Sequence, residues 1–127
     1  MTRAREVSFT RVITSFEADV VNSTQATLRM LGAELAPGAK VLAVGTDALR
    51  QQLAGAGFDV VSSLDDAPDA VVQGYNPTME WQRLEEAALA VQRGAAWYGT
   101  NPDMTRPSER GITPGCGAQL AVVRACV

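Results

Sequence analysis

Four short apolar runs, the first and third each followed by a turn and then a helical pattern, constrain this chain more than any other feature. They are Lys40-Val41-Leu42-Ala43-Val44, Phe58-Asp59-Val60-Val61, Ala70-Val71-Val72-Gln73-Gly74 and Ala95-Ala96-Trp97-Tyr98. Short runs that are apolar with little polar alternation suit strands buried on both faces, as in parallel sheets. Between them lie amphipathic stretches. After Gly45, Thr46 or Asp47 is placed to cap a helix bearing Leu49 and Leu53, which Gly55 and Gly57 end. After Gly74, Thr78 is placed to cap the longest helix, with Trp81, Leu84, Ala88 and Val91 at helical spacing and Gly94 at its end. Strands alternating with helices give an α/β class, with a mostly parallel sheet of about four strands and flanking helices.

The flanks are less regular. Val7, Phe9, Val12 and Ile13 suggest at most a short strand. Asn22-Ser23-Thr24-Gln25 reads as a helix start, with Asn22 as cap and Gln25 at the capping-box position, running through Leu28 and Leu31 to Leu35 before Pro37-Gly38. Asp65-Asp66-Ala67-Pro68 reads as a loop. Residues 100–117 hold Pro102, Pro107, Pro114 and three glycines, and read as an ordered but irregular loop. A last helix over residues 118–126 is apolar on nearly every side, through Leu120, Ala121, Val122 and Val123. Such a helix is expected to lie between other elements, so the sequence reads as stopping within a larger structure.

Composition excludes several function classes. With 127 residues, 46% hydrophobic and 20% charged, the chain is of single-domain size and globular rather than disordered. Net charge is −3 and Lys40 is the only lysine, so the basic face of a nucleic-acid binder is missing. No run approaches a membrane span, and the first 12 residues lack a signal-peptide core. Two cysteines, Cys116 and Cys126, make no disulfide framework, and free thiols in a cytoplasmic location are expected. The absence of histidine removes Ser-His and Cys-His catalysis and imidazole-based zinc sites.

Taken in order, the segments resemble one family. Residues 19–27 (Asp-Val-Val-Asn-Ser-Thr-Gln-Ala-Thr) resemble the passage from core to cap in haloacid dehalogenase-like phosphatases, in the 4-nitrophenylphosphatase and phosphoglycolate-phosphatase-like branch with a large α/β cap. Val41-Leu42-Ala43-Val44-Gly45 resembles the first cap strand, and Asp69-Ala70-Val71-Val72-Gln73-Gly74 a later one. Thr100-Asn101-Pro102-Asp103, with Pro107 and Pro114-Gly115-Cys116-Gly117-Ala118, is the most specific stretch and resembles the return from cap to core. The resemblance covers residues 19–125. It implies an unassigned segment at 1–18, a cap-like domain at 19–117, and the truncated start of a core-domain helix at 118–127.

The resemblance also implies what chemistry the chain should carry. Family members hydrolyse phosphomonoesters of small metabolites with Mg²⁺. They use an Asp-x-Asp pair, whose first carboxylate attacks phosphorus and whose second acts as acid and base, together with a Ser or Thr, a lysine and acidic metal ligands. No Asp-x-Asp occurs in these 127 residues. Asp65 and Asp66 are adjacent, and Lys40 precedes a cap strand, away from the position of the family lysine. The chain is therefore expected to have no catalytic residue, no metal site and no cofactor of its own, and to be inactive alone.

The family's substrate-specificity loop maps onto Asn101, Asp103 and Arg106. With a core present, Arg106 would face an anionic substrate, a small phosphorylated metabolite. Without one, Arg106 reads as a solvated loop charge and Asp103 as stabilising its own turn. Gly111-Ile112-Thr113-Pro114-Gly115-Cys116-Gly117 could cradle an anion on exposed N–H groups, but reads better as a tight chain reversal, since no Lys-Ser/Thr follows. Gly45-Thr46-Asp47 reads as a capped strand-to-helix connection, and Trp81 and Trp97 read as core. Cys116 has no base beside it and reads as a small buried residue. Two further readings stand beside the phosphatase one. The chain could be a non-catalytic dimerisation module closed through its last helix, or a small-ligand binding module using residues 100–117.

Overall fold

The computed structural model describes residues 23–127. The expected N-terminal strand, the segment 1–18 and the Asn22 cap lie outside the described residues. Helix α1 (Ser23–Glu34) precedes β1 (Lys40–Val44), α2 (Asp47–Gly55), β2 (Asp59–Val61) and a 3₁₀ turn at Leu64–Asp66. Then come β3 (Ala70–Gln73), α3 (Trp81–Gln92), β4 (Ala96–Gly99), a hairpin of β5 (Thr105–Ser108) and β6 (Gly111–Pro114), and α4 (Cys116–Arg124). The four long-range strands form one parallel sheet in the order β2-β1-β3-β4.

Two-residue alternation divides the core between the two faces of this sheet. Val41, Ala43, Ala70, Val72 and Tyr98 point to one face, where Leu31 of α1 and Leu49, Leu53 of α2 meet them. Leu42, Val44, Val71 and Trp97 point to the other, against Leu84, Ala87 and Val91 of α3 and Leu120, Val123 of α4. A sheet covered on both faces explains why β1 and β3 read as unbroken apolar runs. Strand β2 is short and pairs only as far as Leu42 of β1. The next carbonyl, that of Ala43, is instead met by side chains, Arg83 Nη2 at 3.1 Å and Arg50 Nη1 at 3.5 Å.

Several sequence expectations change. Helix α2 is capped as expected, with Thr46 Oγ1 accepting from the Leu49 N–H at 3.4 Å. Thr78 does not cap α3. Glu80 holds the cap position without a side-chain bond, and Thr78 closes a turn on Asn76 Oδ1 through its N–H (2.9 Å) and hydroxyl (3.0 Å). A Thr two residues after an Asn satisfies that turn before it can reach the helix. Trp97 is fully buried, but Trp81 is 60% exposed and not core. It sits at the first position of α3, on the rim of the groove between α3 and α4. Helix α3 is no longer than α1, at 12 residues each.

Residues 100–117 are not irregular throughout, since they contain the β5-β6 hairpin, joined antiparallel with Arg106 opposite Thr113. Its turn uses Gly111 at φ 135°. The 65–68 loop begins within the 3₁₀ turn, which Ser63 caps through the Asp65 N–H at 3.0 Å. Helix α4 is not apolar on all sides in its packing. Leu120 and Val123 are buried against α3 and β4, while Ala121 faces solvent. The small alanines made the helix look uniformly apolar; they tolerate exposure.

Two glycines decide how the hairpin returns to the sheet. A Cβ on Gly117 would strike the Pro102 carbonyl oxygen and come within 2.7 Å of that of Asp103; one on Gly115 would also lie 2.7 Å from the Asp103 oxygen. Gly32, in the last turn of α1, has nothing within 4 Å of such a Cβ. Opposite outcomes are expected for the two kinds of site. Gly32→Ala should stabilise the fold by about 0.5–1 kcal/mol, whereas Gly117→Ala should destabilise it by roughly 2–4 kcal/mol through backbone displacement. Urea midpoints at unchanged m-value measure both.

Candidate functional site

In open parallel sheets, ligands meet the chain beyond the carboxyl ends of the strands, where successive connections leave in opposite directions. Here that point lies between β1, which leads to β2 at one edge, and β3, which leads to β4 at the other. The segments emerging there are Gly45-Thr46, Gly74-Tyr75-Asn76 and Thr100-Asn101. Gly45 and Gly74 let the two turns approach: a Cβ on Gly45 would lie 3.3 Å from the Gly74 nitrogen. A cleft of about 350 Å³ opens beside them, lined by Thr46, Leu49, Gly74, Tyr75, Thr100 and Asn101.

A run of amide contacts fixes this end of the sheet. Trp97 Nε1 donates to Gln73 Oε1 at 2.6 Å, and Gln73 Nε2 to the Gln119 carbonyl at 3.3 Å. The Gln119 side chain and the Asn76 backbone exchange two bonds, at 2.7 and 3.3 Å. Asn76 Nδ2 then reaches the Gly45 carbonyl at 3.1 Å. Gln73 is 1% exposed, and its partners make its burial tolerable. The network ties α4 to the ends of β1 and β3, so the hairpin between β4 and α4 is held against the cleft.

The hairpin carries Arg106 over the ring of Tyr75, 4.7 Å from its centroid, and Nη1 donates to the Tyr75 hydroxyl at 2.9 Å. Arg106 is therefore held against an aromatic face rather than merely solvated, an arrangement that restricts a flexible cation while leaving most of its N–H groups uncommitted. Asn101 makes the turn expected of Asp103: its Oδ1 accepts from the Asp103 N–H at 2.7 Å. Asp103 contributes its carbonyl, which accepts from the Gly117 N–H at 2.6 Å, and Gly115 N–H donates to the Met104 carbonyl at 2.9 Å. Two of the N–H groups that would form an anion cradle before α4 are thus consumed by chain closure, and the glycines serve close approach. Asn101, Asp103 and Arg106 do share one depression of about 230 Å³, with Tyr75, Thr105 and Cys116. Tyr75 was not singled out in the sequence; an aromatic two residues beyond an apolar strand was its only mark.

Cys116 is buried, and burial pushes its thiol pKa up. A thiol so placed is kept protonated and is no nucleophile. Its folded pKa exceeds the unfolded one, so any stability it adds is whole at neutral pH, begins to fall as pH rises past the ordinary thiol value and is gone above the raised one. Among the described residues no three acidic or thiol side chains come together. Asp65 and Asp66 lie on the 3₁₀ turn beside β2, remote in the chain from the hairpin and outside its depression.

No family model matches the chain. It is 49% identical over 106 residues to a D-glycerol 3-phosphate phosphatase from Mycobacterium tuberculosis, a match covering 84% of this chain and 30% of the relative. An acid sugar phosphatase from Staphylococcus aureus is 39% identical over 105 residues, covering 83% and 39% respectively. Among solved structures, the glycerol phosphate phosphatase from Mycobacterium tuberculosis in complex with magnesium superposes with a TM-score of 0.79 at 47% identity, over 82% of this chain and 32% of that one. The chain belongs to the haloacid dehalogenase-like phosphatases. A p-nitrophenyl phosphatase from Archaeoglobus fulgidus gives a TM-score of 0.73 at 32% identity, over 81% and 38%. The chain spans little more than a third of each of these phosphatases at most, and the span it matches is the α/β cap portion. Among the described residues, no helix is long and apolar enough to cross a membrane.

Proposed function

We propose that this chain is the substrate-selecting lid of a Mg²⁺-dependent phosphomonoesterase and does not hydrolyse phosphate esters by itself. The observation that carries the reading is the extent of the match. Most of this chain aligns with under a third of a D-glycerol 3-phosphate phosphatase, and its 127 residues contain no Asp-x-Asp. The attacking carboxylate, the acid-base carboxylate, the lysine and the metal ligands belong to a core domain. The lid supplies Arg106, pre-oriented on Tyr75, with Asn101 and Asp103 shaping the loop beside it. A guanidinium held in place recognises an oxyanion with less ordering cost than a free one. Small phosphorylated polyols and sugars are the substrate class that the two relatives' names favour. Residues 19–117 form the cap, and α4 is the first element of the way back to the core.

A second reading concerns self-association. Trp81, 60% exposed, stands over a groove of about 350 Å³ between α3 and α4, lined by Leu84, Ala88, Val122 and Ala125. An exposed tryptophan on an apolar groove has the composition of an interface centre, and a two-fold dimer of this chain covers both copies at once.

Two measurements check these readings. Purified chain with Mg²⁺ should show no turnover of 4-nitrophenyl phosphate or glycerol 3-phosphate above buffer; robust turnover abolished by EDTA would overturn the first. Sedimentation should report a dimer that Trp81→Glu converts to a folded monomer. A monomer at every concentration would overturn the second.

A further inference from the structure

We propose a second oxyanion site at the β1 edge, formed by Arg50 and Arg83 and separate from Arg106. Arg50 lies on α2 and Arg83 on α3, so the two come from opposite faces of the sheet. They converge where β2 stops. Both donate to the Ala43 carbonyl, at 3.5 and 3.1 Å. Both also bind Ser62, Arg50 Nη2 to its hydroxyl and Arg83 Nη1 to its carbonyl, each at 2.7 Å.

One guanidinium is enough to satisfy a strand-edge carbonyl; the second adds like charge beside the first. Each arginine has five N–H groups and uses two of its nitrogens on these neutral acceptors. Among the described residues neither forms an ion pair. Two half-buried cations sharing one neutral acceptor repel each other, and an anion bound between them removes that repulsion while taking up spare donors. A polar cleft of about 400 Å³ gives access, lined by Gly45, Arg50, Asn76, Thr78 and Arg83, with Asp47 and Glu80 also on its wall. Those two carboxylates limit the ligand to a compact oxyanion that reaches the guanidinium donors without meeting them. The chemistry fits orthophosphate or the terminal group of a small phosphomonoester, and it does not depend on the lid reading above.

The test uses the full chain, ¹⁵N-labelled and titrated with inorganic phosphate at constant ionic strength, with chloride as the reference salt. Saturable shifts are expected at the Arg50 and Arg83 Nε–Hε signals and at the Gly45 and Thr78 amides. Arg50→Gln should weaken them by at least about tenfold, the scale of a lost charge-assisted bond. Arg50→Lys, which keeps charge but not the planar fork, should fall between the two. Arg106→Gln should leave them unchanged. Shifts that do not saturate, that chloride reproduces, that survive in Arg50→Gln, or that vanish in Arg106→Gln would each overturn the proposal.

Discussion

One backbone contact sets the position of everything that distinguishes this α/β layer from a plain sheet with helices. The Gly117 N–H meets the Asp103 carbonyl at 2.6 Å, and neither Gly115 nor Gly117 has room for a side chain beside the 102–103 backbone. This closure brings the start of α4 back to the end of β4 after the hairpin has made its excursion. An isolated two-stranded hairpin is marginal in water, and β5 and β6 bury almost nothing of their own. They are ordered by being pinned at their base. Arg106 reaches Tyr75 because the pin fixes the hairpin's direction.

Behind the pin, the sheet works as a rigid mount. Its two faces are filled by separate apolar clusters, one under α1 and α2 and one under α3 and α4. Among the described residues, the only buried side-chain amide in the strands, Gln73, is satisfied by Trp97 on one side and the Gln119 carbonyl on the other. Removing either partner would leave a buried polar group at a cost of about 1–3 kcal/mol. The amide chain through Gln119 and Asn76 to Gly45 therefore registers α4 against β1 and β3. Stability and site geometry share the same contacts here.

Much of this was legible in the sequence, for identifiable reasons. The strands β1, β3 and β4 announced themselves because burial on both faces demands continuous apolar residues, and Thr46 announced α2 because a Thr before an amphipathic run satisfies an orphan N–H. Elements failed to show where local chemistry competed. Thr78 looked like a cap, but Asn76 claimed it for a turn. Trp81 sat on a helical stripe, yet it opens onto the groove between α3 and α4 and stays largely exposed. The hairpin was hidden because its strands contain Pro107 and Pro114 and lack an apolar alternation. Of the site, Asn101, Asp103 and Arg106 were placed by family resemblance, and the structure brings them to one depression. Tyr75, Gln119 and the Arg50–Arg83 pair carry no sequence pattern, because each matters only through a contact distant along the chain.

Functionally, the described residues carry features that suit recognition, which is the role proposed for this lid. A cation is oriented on an aromatic ring, its neighbours are backbone-directed, and the one buried thiol is held protonated. The proposed division of labour puts recognition on the lid and covalent chemistry on a core. Its most direct test is acid-quenched intact-mass spectrometry of the chain after incubation with Mg²⁺ and glycerol 3-phosphate. The predicted result is an unmodified polypeptide at every quench time. A phosphoryl adduct mapped to an aspartate of this chain would contradict the assignment.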